Sequence, residues 1–299
     1  MSFSSEIKTE LCALPAEGPS ARACLLGLLL PLRQFERSVI ALQTAHEDVC
    51  ALLDTLLHRC FPGIVTELAP SPSGICSLSV PQEADRLRVL ESFDLGVLRR
   101  LPDGAAEEDE EAGALLRGIF LTCGSITNPR REYHFELVIP FANLCADIRR
   151  FAAERGLPLR QTKRKGAFVL YLKESEHIED MLTFMGAVRS SLELMNIKIY
   201  KDVRNKVNRV TNCETANIGK TVAAAARQLA DITLIHERIG FEELPEDLRE
   251  LAEIRLENPE MSLRELGAML SEPISRSGVN HRLRRLGEIA EELRGGKRI

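Results

Sequence analysis

The sequence predicts an α+β protein: a duplicated helix-and-strand unit over residues 1–200, then an all-α domain at the C-terminal end. Three observations carry that class. The glycine pairs Gly27 and Gly118, Gly63 and Gly156, and Gly74 and Gly166 recur at offsets of 91, 93 and 92 residues. The same order of helices and strands can be read around both members of each pair, and agreeing offsets with a matched order mark an internal repeat. Past residue 245 the alternating strand pattern disappears, and apolar residues fall only at helical spacing.

In the first repeat, about 1–102, we read a helix at 25–32, a strand at 39–43, a helix at 47–60, strands at 64–68 and 75–80, and a helix from Glu83. In the second, about 111–200, a helix at 112–122 precedes a strand at 133–139, which alternates Tyr, Phe, Leu and Ile with its neighbours. A helix at 141–155, strands at 159–162 and 168–172 and a helix at 176–185 complete the order. Gly63, Gly74 and their counterparts stand where a helix ends or a hairpin turns, positions that favour positive φ. Between the repeats, residues 103–111 hold six acids in nine positions. Adjacent carboxylates on an exposed loop repel, so this run reads as a linker entering an acidic helix N-terminus, where the macrodipole favours negative charge.

Composition narrows the function. The 299 residues are 44% hydrophobic and 28% charged, with 5% aromatics and no Trp, so the cores must be aliphatic. A net charge of −5 excludes a nonspecific polycation, and any nucleic-acid surface must come from local segregation of charge. The eight cysteines contain no CxxC, which removes zinc-ribbon and zinc-finger readings. His46, Cys50, His58 and Cys60 are the nearest to a ligand set. On one helix Cys50 and His58 would lie ~12 Å apart, too far for a single ion. Buried free thiols in a reducing cytosol account for the cysteines, and no cofactor, metal or small-molecule substrate is expected. The apolar run 24–32 lacks a basic leader before it and a small-residue cleavage site after it, and it is too short to span a membrane. It reads as a buried helix of a cytoplasmic protein.

A basic stretch follows the repeats. From Asn196 to Arg227 seven basic residues face two acids, a net of +5 over 32 residues. We take 201–215 as a basic connector, with Lys201, Arg204, Lys206 and Arg209 as candidate phosphate contacts. Lys201, Arg204 and Asn208 would share one face of a helix. Lys163, Arg164 and Lys165, beside the hairpin glycine Gly166, are candidates of the same kind. A solvated helix and a solvated hairpin tip explain these charges equally well.

Residues 216–299 read as an all-α domain, with the informative part at about 245–294. Pro245 suits the first position of a helix that Asn258-Pro259 stops. Ser262 and Glu265 form a capping box for a short second helix through Leu270. After a turn at 271–275, a third helix carries the stripe Val279, Leu283, Leu286, Ala290 and Leu293. Three helices, the second short and the turn tight, have the layout of a helix-turn-helix. The face opposite the stripe presents Ser277, His281, Arg284 and Arg285, with Asn280 beside them. Residues 276–285 hold four arginines and no acid, and acids return only at Glu288. Basic and amide groups on the N-terminal half are what a major-groove reader needs. Candidate DNA contacts are Arg264, Ser275, Arg276, Ser277, Asn280, His281, Arg282, Arg284 and Arg285, with double-stranded DNA as the partner.

Two resemblances extend this reading. The stretches 25–33 and 116–124 are similar to the signature helices of LAGLIDADG homing endonucleases, a fold built from two α-β-β-α-β-β-α units. In that family an acid before the final glycine of each motif holds divalent metal. Leu32 and Cys123 stand at the matching positions here, and neither is a ligand for a hard cation. The resemblance therefore implies a scaffold without two-metal hydrolysis and a protein that is not an enzyme. Residues 1–8, 207–217 and 257–283 resemble the WhiA family, a likeness that extends over essentially the whole chain. It implies a bacterial transcription regulator connected with cell division, chromosome segregation or sporulation, with other transcription or division proteins as further partners. Pro31 and Arg33 depart from the small residues usual in the first motif. A nuclease using other acids and a division factor acting through protein contacts remain alternatives.

Overall fold

The computed structural model describes residues 2–70, 74–93 and 99–295, and the chain divides into two compact units, Met1–Asp202 and Val203–Ile299. Helix α1 (Phe3–Cys12) precedes the repeats and is capped by Ser2, whose side chain accepts from the Ser5 N–H. The first repeat runs α2 (Gly18–Leu29), β1 (Phe35–Glu36), β2 (Val39–Thr44), α3 (Glu47–Cys60), β3 (Glu67–Pro70), β4 (Cys76–Ser79) and α4 (Glu83–Ser92). The second runs α5 (Asp109–Cys123), β5 (Gly124–Ile126), β6 (Phe135–Ile139), α6 (Ala142–Ala153), β7 (Arg160–Arg164), β8 (Ala167–Leu172) and α7 (Ser175–Met185). Both four-stranded sheets are antiparallel and have the same order, β1-β2-β4-β3 and β5-β6-β8-β7. The duplication is thus exact at the level of topology.

The α2–α5 seam explains why each repeat opens on a glycine helix. A Cβ on Gly27 would lie 2.2 Å from the Leu115 carbonyl oxygen, and one on Gly118 would lie 2.2 Å from that of Cys24. Backbone meets backbone there, which only glycine permits. Both helices are apolar around most of their circumference and are buried accordingly. The Thr122 hydroxyl donates to the Leu28 carbonyl across the seam at 2.9 Å. One core, mainly aliphatic but including the fully buried Phe35, Phe120 and Phe135, runs through both repeats.

Several elements differ from expectation, each for a local reason. Helix α2 spans Gly18–Leu29 rather than 25–32: Pro19 starts it earlier, and Pro31 has no N–H to continue it. The strand expected at 64–68 starts at Glu67, because Ile64 turns back onto the Phe61 carbonyl and the buried Asp85 carboxylate accepts from the Val65 N–H. Strands β1 and β5, two and three residues long, are too short to leave a periodic signature. The 163–166 segment is a tight hairpin: Arg164 pairs with Ala167, and Lys165 and Gly166 take φ of 50° and 82°, the two positive φ values of a type I′ turn.

Helix α8 (Val188–Ile239) is a single helix of 52 residues, and the division between the units falls inside it. The second unit packs the end of α8 against α9 (Glu246–Glu257), α10 (Leu263–Met269) and α11 (Arg276–Arg294). Its core joins Ile232 and Ile235 of α8 to Leu248 and Leu251 of α9, Leu266 of α10, and Val279, Leu283 and Leu286 of α11. Pro245 is the N-cap of α9 rather than its first residue. Among the described residues no helix is long and apolar enough to cross a membrane.

Candidate nucleic-acid interface

The second unit positions the predicted reading helix with ordinary local chemistry. Ser262 and Glu265 close a capping box at the start of α10, with Glu265 accepting from the Ser262 N–H at 2.8 Å. Hydrogen bonding to Ser262 holds the Glu265 carboxyl below its usual range. The turn is tight: Ile274 donates to the Gly267 carbonyl, and a Cβ at Gly267 would meet the Ile274 carbonyl oxygen at 2.5 Å. Ser275 caps α11, its hydroxyl accepting from the Gly278 N–H. Arg255, buried at the end of α9, donates to the Met261 carbonyl at 2.6 Å and fixes the α9–α10 connection.

Helix α11 then buries Val279, Leu283, Leu286 and Ala290, and leaves Arg276, Ser277, Asn280, His281, Arg284 and Arg285 exposed. Arg264 is exposed on α10 and Ser275 at the head of α11. The structure separates these residues into two sets. Arg282 turns back onto α9, its Nε 3.5 Å from the Asp247 carboxylate and an Nη donating to the Asp247 carbonyl. Of the candidate DNA contacts on α11, Arg282 is thus half-buried and engaged within its own unit. Arg285 also leans on Asp247, at 3.8 Å, while Arg284 pairs loosely with Glu288 one turn on. Asp247 is the residue the linear reading missed. It precedes Arg282 by 35 positions and looks like an ordinary first-turn acid of α9.

The basic connector divides in the same way. Lys201, half-buried, donates to the Pro129 carbonyl at 2.6 Å and lies over the Tyr133 ring at 4.6 Å. The helix does align it with Arg204 and Asn208, but its ammonium is engaged within the first unit. Arg204, Lys206 and Arg209 are exposed, and among the described residues none of them forms an ion pair. On the hairpin, Arg164 is held by both oxygens of Glu136 at 3.1 Å, and Lys163 lies over the Phe168 ring. Lys165 occupies the exposed turn. Arg160 of the same strand pairs with Glu174. On the first sheet, the face shared by Ala41, Gln43, Ser77, Ser79 and Glu67 contains no cation. Among the described strands, Arg160 and Arg164 are neutralised by acids, and Lys163 is the cation left without an ion pair.

The positions that hold metal in homing endonucleases do not fit a divalent cation here. Leu32 is buried and apolar. The Cys123 thiol donates to the Ile119 carbonyl, and burial pushes its pKa up to about 12, so it stays protonated. Near it lies a fixed cation instead: the buried Lys8 ammonium donates to the Leu121 carbonyl at 3.0 Å, with burial lowering its pKa. A hard cation needs oxygen ligands and negative charge, and these residues supply neither. Among the described residues no three His, Cys, Asp or Glu side chains converge on one point.

A duplicated LAGLIDADG-like unit followed by a helical unit with a helix-turn-helix defines the class of protein. The described geometry agrees with two family models: the WhiA LAGLIDADG-like domain over residues 112–204 and the WhiA C-terminal HTH domain over residues 207–290. The chain is 36% identical to a probable cell division protein WhiA of Clostridium acetobutylicum, covering 98% of this chain and 99% of that one. It is likewise 36% identical to the probable cell division protein WhiA of Staphylococcus haemolyticus, covering 100% and 99%. The crystal structure of full-length DUF199/WhiA from Thermatoga maritima is similar at 29% identity and a TM-score of 0.60, covering 98% and 99%. The chain belongs to the WhiA family.

Proposed function

We propose that this protein is a sequence-specific DNA-binding transcription regulator, without nuclease activity, acting in cell division, chromosome segregation or sporulation from a nucleoid-associated, cytoplasmic location. One observation carries the reading: the exposed N-terminal half of α11 gathers Arg276, Ser277, Asn280, His281 and Arg284 on a helix whose opposite face is locked into the core. Arginine pairs bidentately with guanine and asparagine with adenine in the major groove, so Arg284 and Asn280 are the expected base readers. Arg264 and Ser275, together with the exposed connector cations Arg204, Lys206 and Arg209, are suited to phosphates, as is Lys165 on its turn. Arg285 and Arg282 act mainly in holding α11 to α9. The name that the relatives share supports the link with division. The apolar and cationic surroundings of Cys123 support the absence of metal-dependent cleavage.

The test is binding of the full chain to a site recovered by genome-wide mapping and to its scrambled counterpart, across salt. Arg284→Ala should cost about 1–3 kcal/mol on the specific site alone and relax preference at one position. Arg204→Ala should weaken both DNAs alike and reduce the salt slope by about one. Equal losses on both DNAs for Arg284→Ala would remove the recognition role of α11.

A further inference from the structure

Residues 203–222 of α8 form a helix that its own sequence does not sustain. Every residue from Asp202 to Ala223 is exposed, so among the described residues no packing within its own unit supports residues 203–222. Most helical stability in proteins comes from such packing. Thirteen of the twenty residues from Val203 to Val222 are Val, Ile, Thr, Asn or Gly, which are weak helix formers. Its lone acid, Glu214, has no base three or four residues away. The side-chain bonds described within it are the Asn217 amide to the Cys213 sulfur and the Thr221 hydroxyl to the Asn217 carbonyl. A bare helix of this composition requires an external partner to order it.

Charge and side-chain chemistry identify that partner. The segment carries Arg204, Lys206, Arg209 and Lys220 against Glu214, within a chain of net charge −5. Asn205, Asn208 and Asn212, spaced by three and four, share one face, flanked by Arg204 on one side and Arg209 on the other. The valines 203, 207 and 210 lie on the opposite face. Pairing with a second copy along those valines would bring like charges together, so the valines do not specify the partner. An anionic polymer with hydrogen-bonding edges satisfies both the cations and the amides. A helix ~10–12 Å across fits a major groove ~12 Å wide.

We propose that residues 203–222 are a second DNA-reading element, a helix that completes its folding in a major groove with Asn205, Asn208 and Asn212 at base edges and Arg204, Lys206 and Arg209 at the flanking phosphates. The inference rests on the DNA-binding reading above and adds to α11 a second point of sequence readout. Ordering on contact lowers affinity per area of interface but allows a long surface to engage.

The experiment uses the full-length chain and the duplex it enriches from a random-sequence pool. In amide hydrogen exchange, residues 203–222 should exchange fast in the free protein and at least about tenfold more slowly with that duplex, while polyglutamate gives no protection. The Asn208→Ala/Asn212→Ala chain keeps or improves helix propensity, so it folds. It should lose about tenfold in preference at one or two positions of the enriched sequence and retain the positions that depend on Arg284. Slow exchange in the free chain, equal protection by polyglutamate, or no protection by DNA would each overturn the inference. So would a double variant that enriches the wild-type sequence unchanged. Failure of the wild-type chain to enrich any sequence would instead remove the DNA-binding reading itself, so the two failures are distinguishable.

Discussion

Replacing Gly118 by alanine tests the seam on which the first unit is built. The added Cβ would lie 2.2 Å from the Cys24 carbonyl oxygen, 2.7 Å from the Leu28 nitrogen and 2.9 Å from the Gly27 carbonyl carbon. All three are backbone atoms of α2, so no side chain can swing away. Restoring ordinary contact at ~3.5 Å means parting α2 from α5 by more than ~1 Å. Those helices bury Leu25, Leu28, Leu29, Leu115 and Ile119 completely. Overpacking of this kind costs ~1–3 kcal/mol, and a rigid obstacle places it near ~3. Alanine regains ~1 kcal/mol of helix propensity. The net is ~2 kcal/mol, a shift of about thirtyfold in the folding equilibrium. Gly219→Ala is the control, since that glycine also sits within a helix but nothing lies within 4 Å of its Cβ position. Urea unfolding followed by circular dichroism suits a chain without tryptophan. Gly118→Ala should lower the midpoint of the first unit's transition, and Gly219→Ala should leave stability equal or raised. A Gly118→Ala chain with an unchanged or higher midpoint would refute the close-packed seam.

Other contacts in the two units set further expectations. Supercoiled plasmid incubated with the protein and Mg²⁺ or Mn²⁺ should remain uncut; nicking that copurifies with the protein would point to acids elsewhere in the chain. Ser262→Ala removes the α10 cap and should cost about 1 kcal/mol, read as a lower denaturation midpoint. The Ser262 bonds depress the folded-state pKa of Glu265, so their stabilising contribution is present above the unfolded carboxyl value and lost as pH falls through the lower folded one. An acid titration of stability should therefore flatten in Ser262→Ala at the acidic end. Arg282→Ala should lower the melting temperature through the lost Asp247 contacts while leaving base preference unchanged, the reverse of Arg284→Ala.

The division of labour between sequence and fold can be read from particular residues. The capping box at Ser262, the turn, the buried stripe of α11 and the two-repeat register are local or periodic signals. The first three depend on neighbours a few residues apart and the register on a repeat spacing of about 92 residues, so linear order contains them. The paired glycines belong here too, because Gly63 with Gly156 and Gly74 with Gly166 take the positive φ that their turns demand. Contacts between segments distant in sequence were decided only in three dimensions. Asp247 captures Arg282 across 35 residues, Tyr133 and Pro129 engage Lys201, and Glu136 neutralises Arg164. Each takes a cation from a set that looked uniform in the linear chain, because an ion pair depends on distance in space. The ammonium beside Cys123 is of the same kind. Lys8 belongs to a helix outside both repeats, and only the packing of α1 brings its ammonium to the end of α5. Sequence alone established that Leu32 and Cys123 are poor ligands for a hard cation; tertiary structure added a fixed positive charge, held by a backbone carbonyl, beside the second of them.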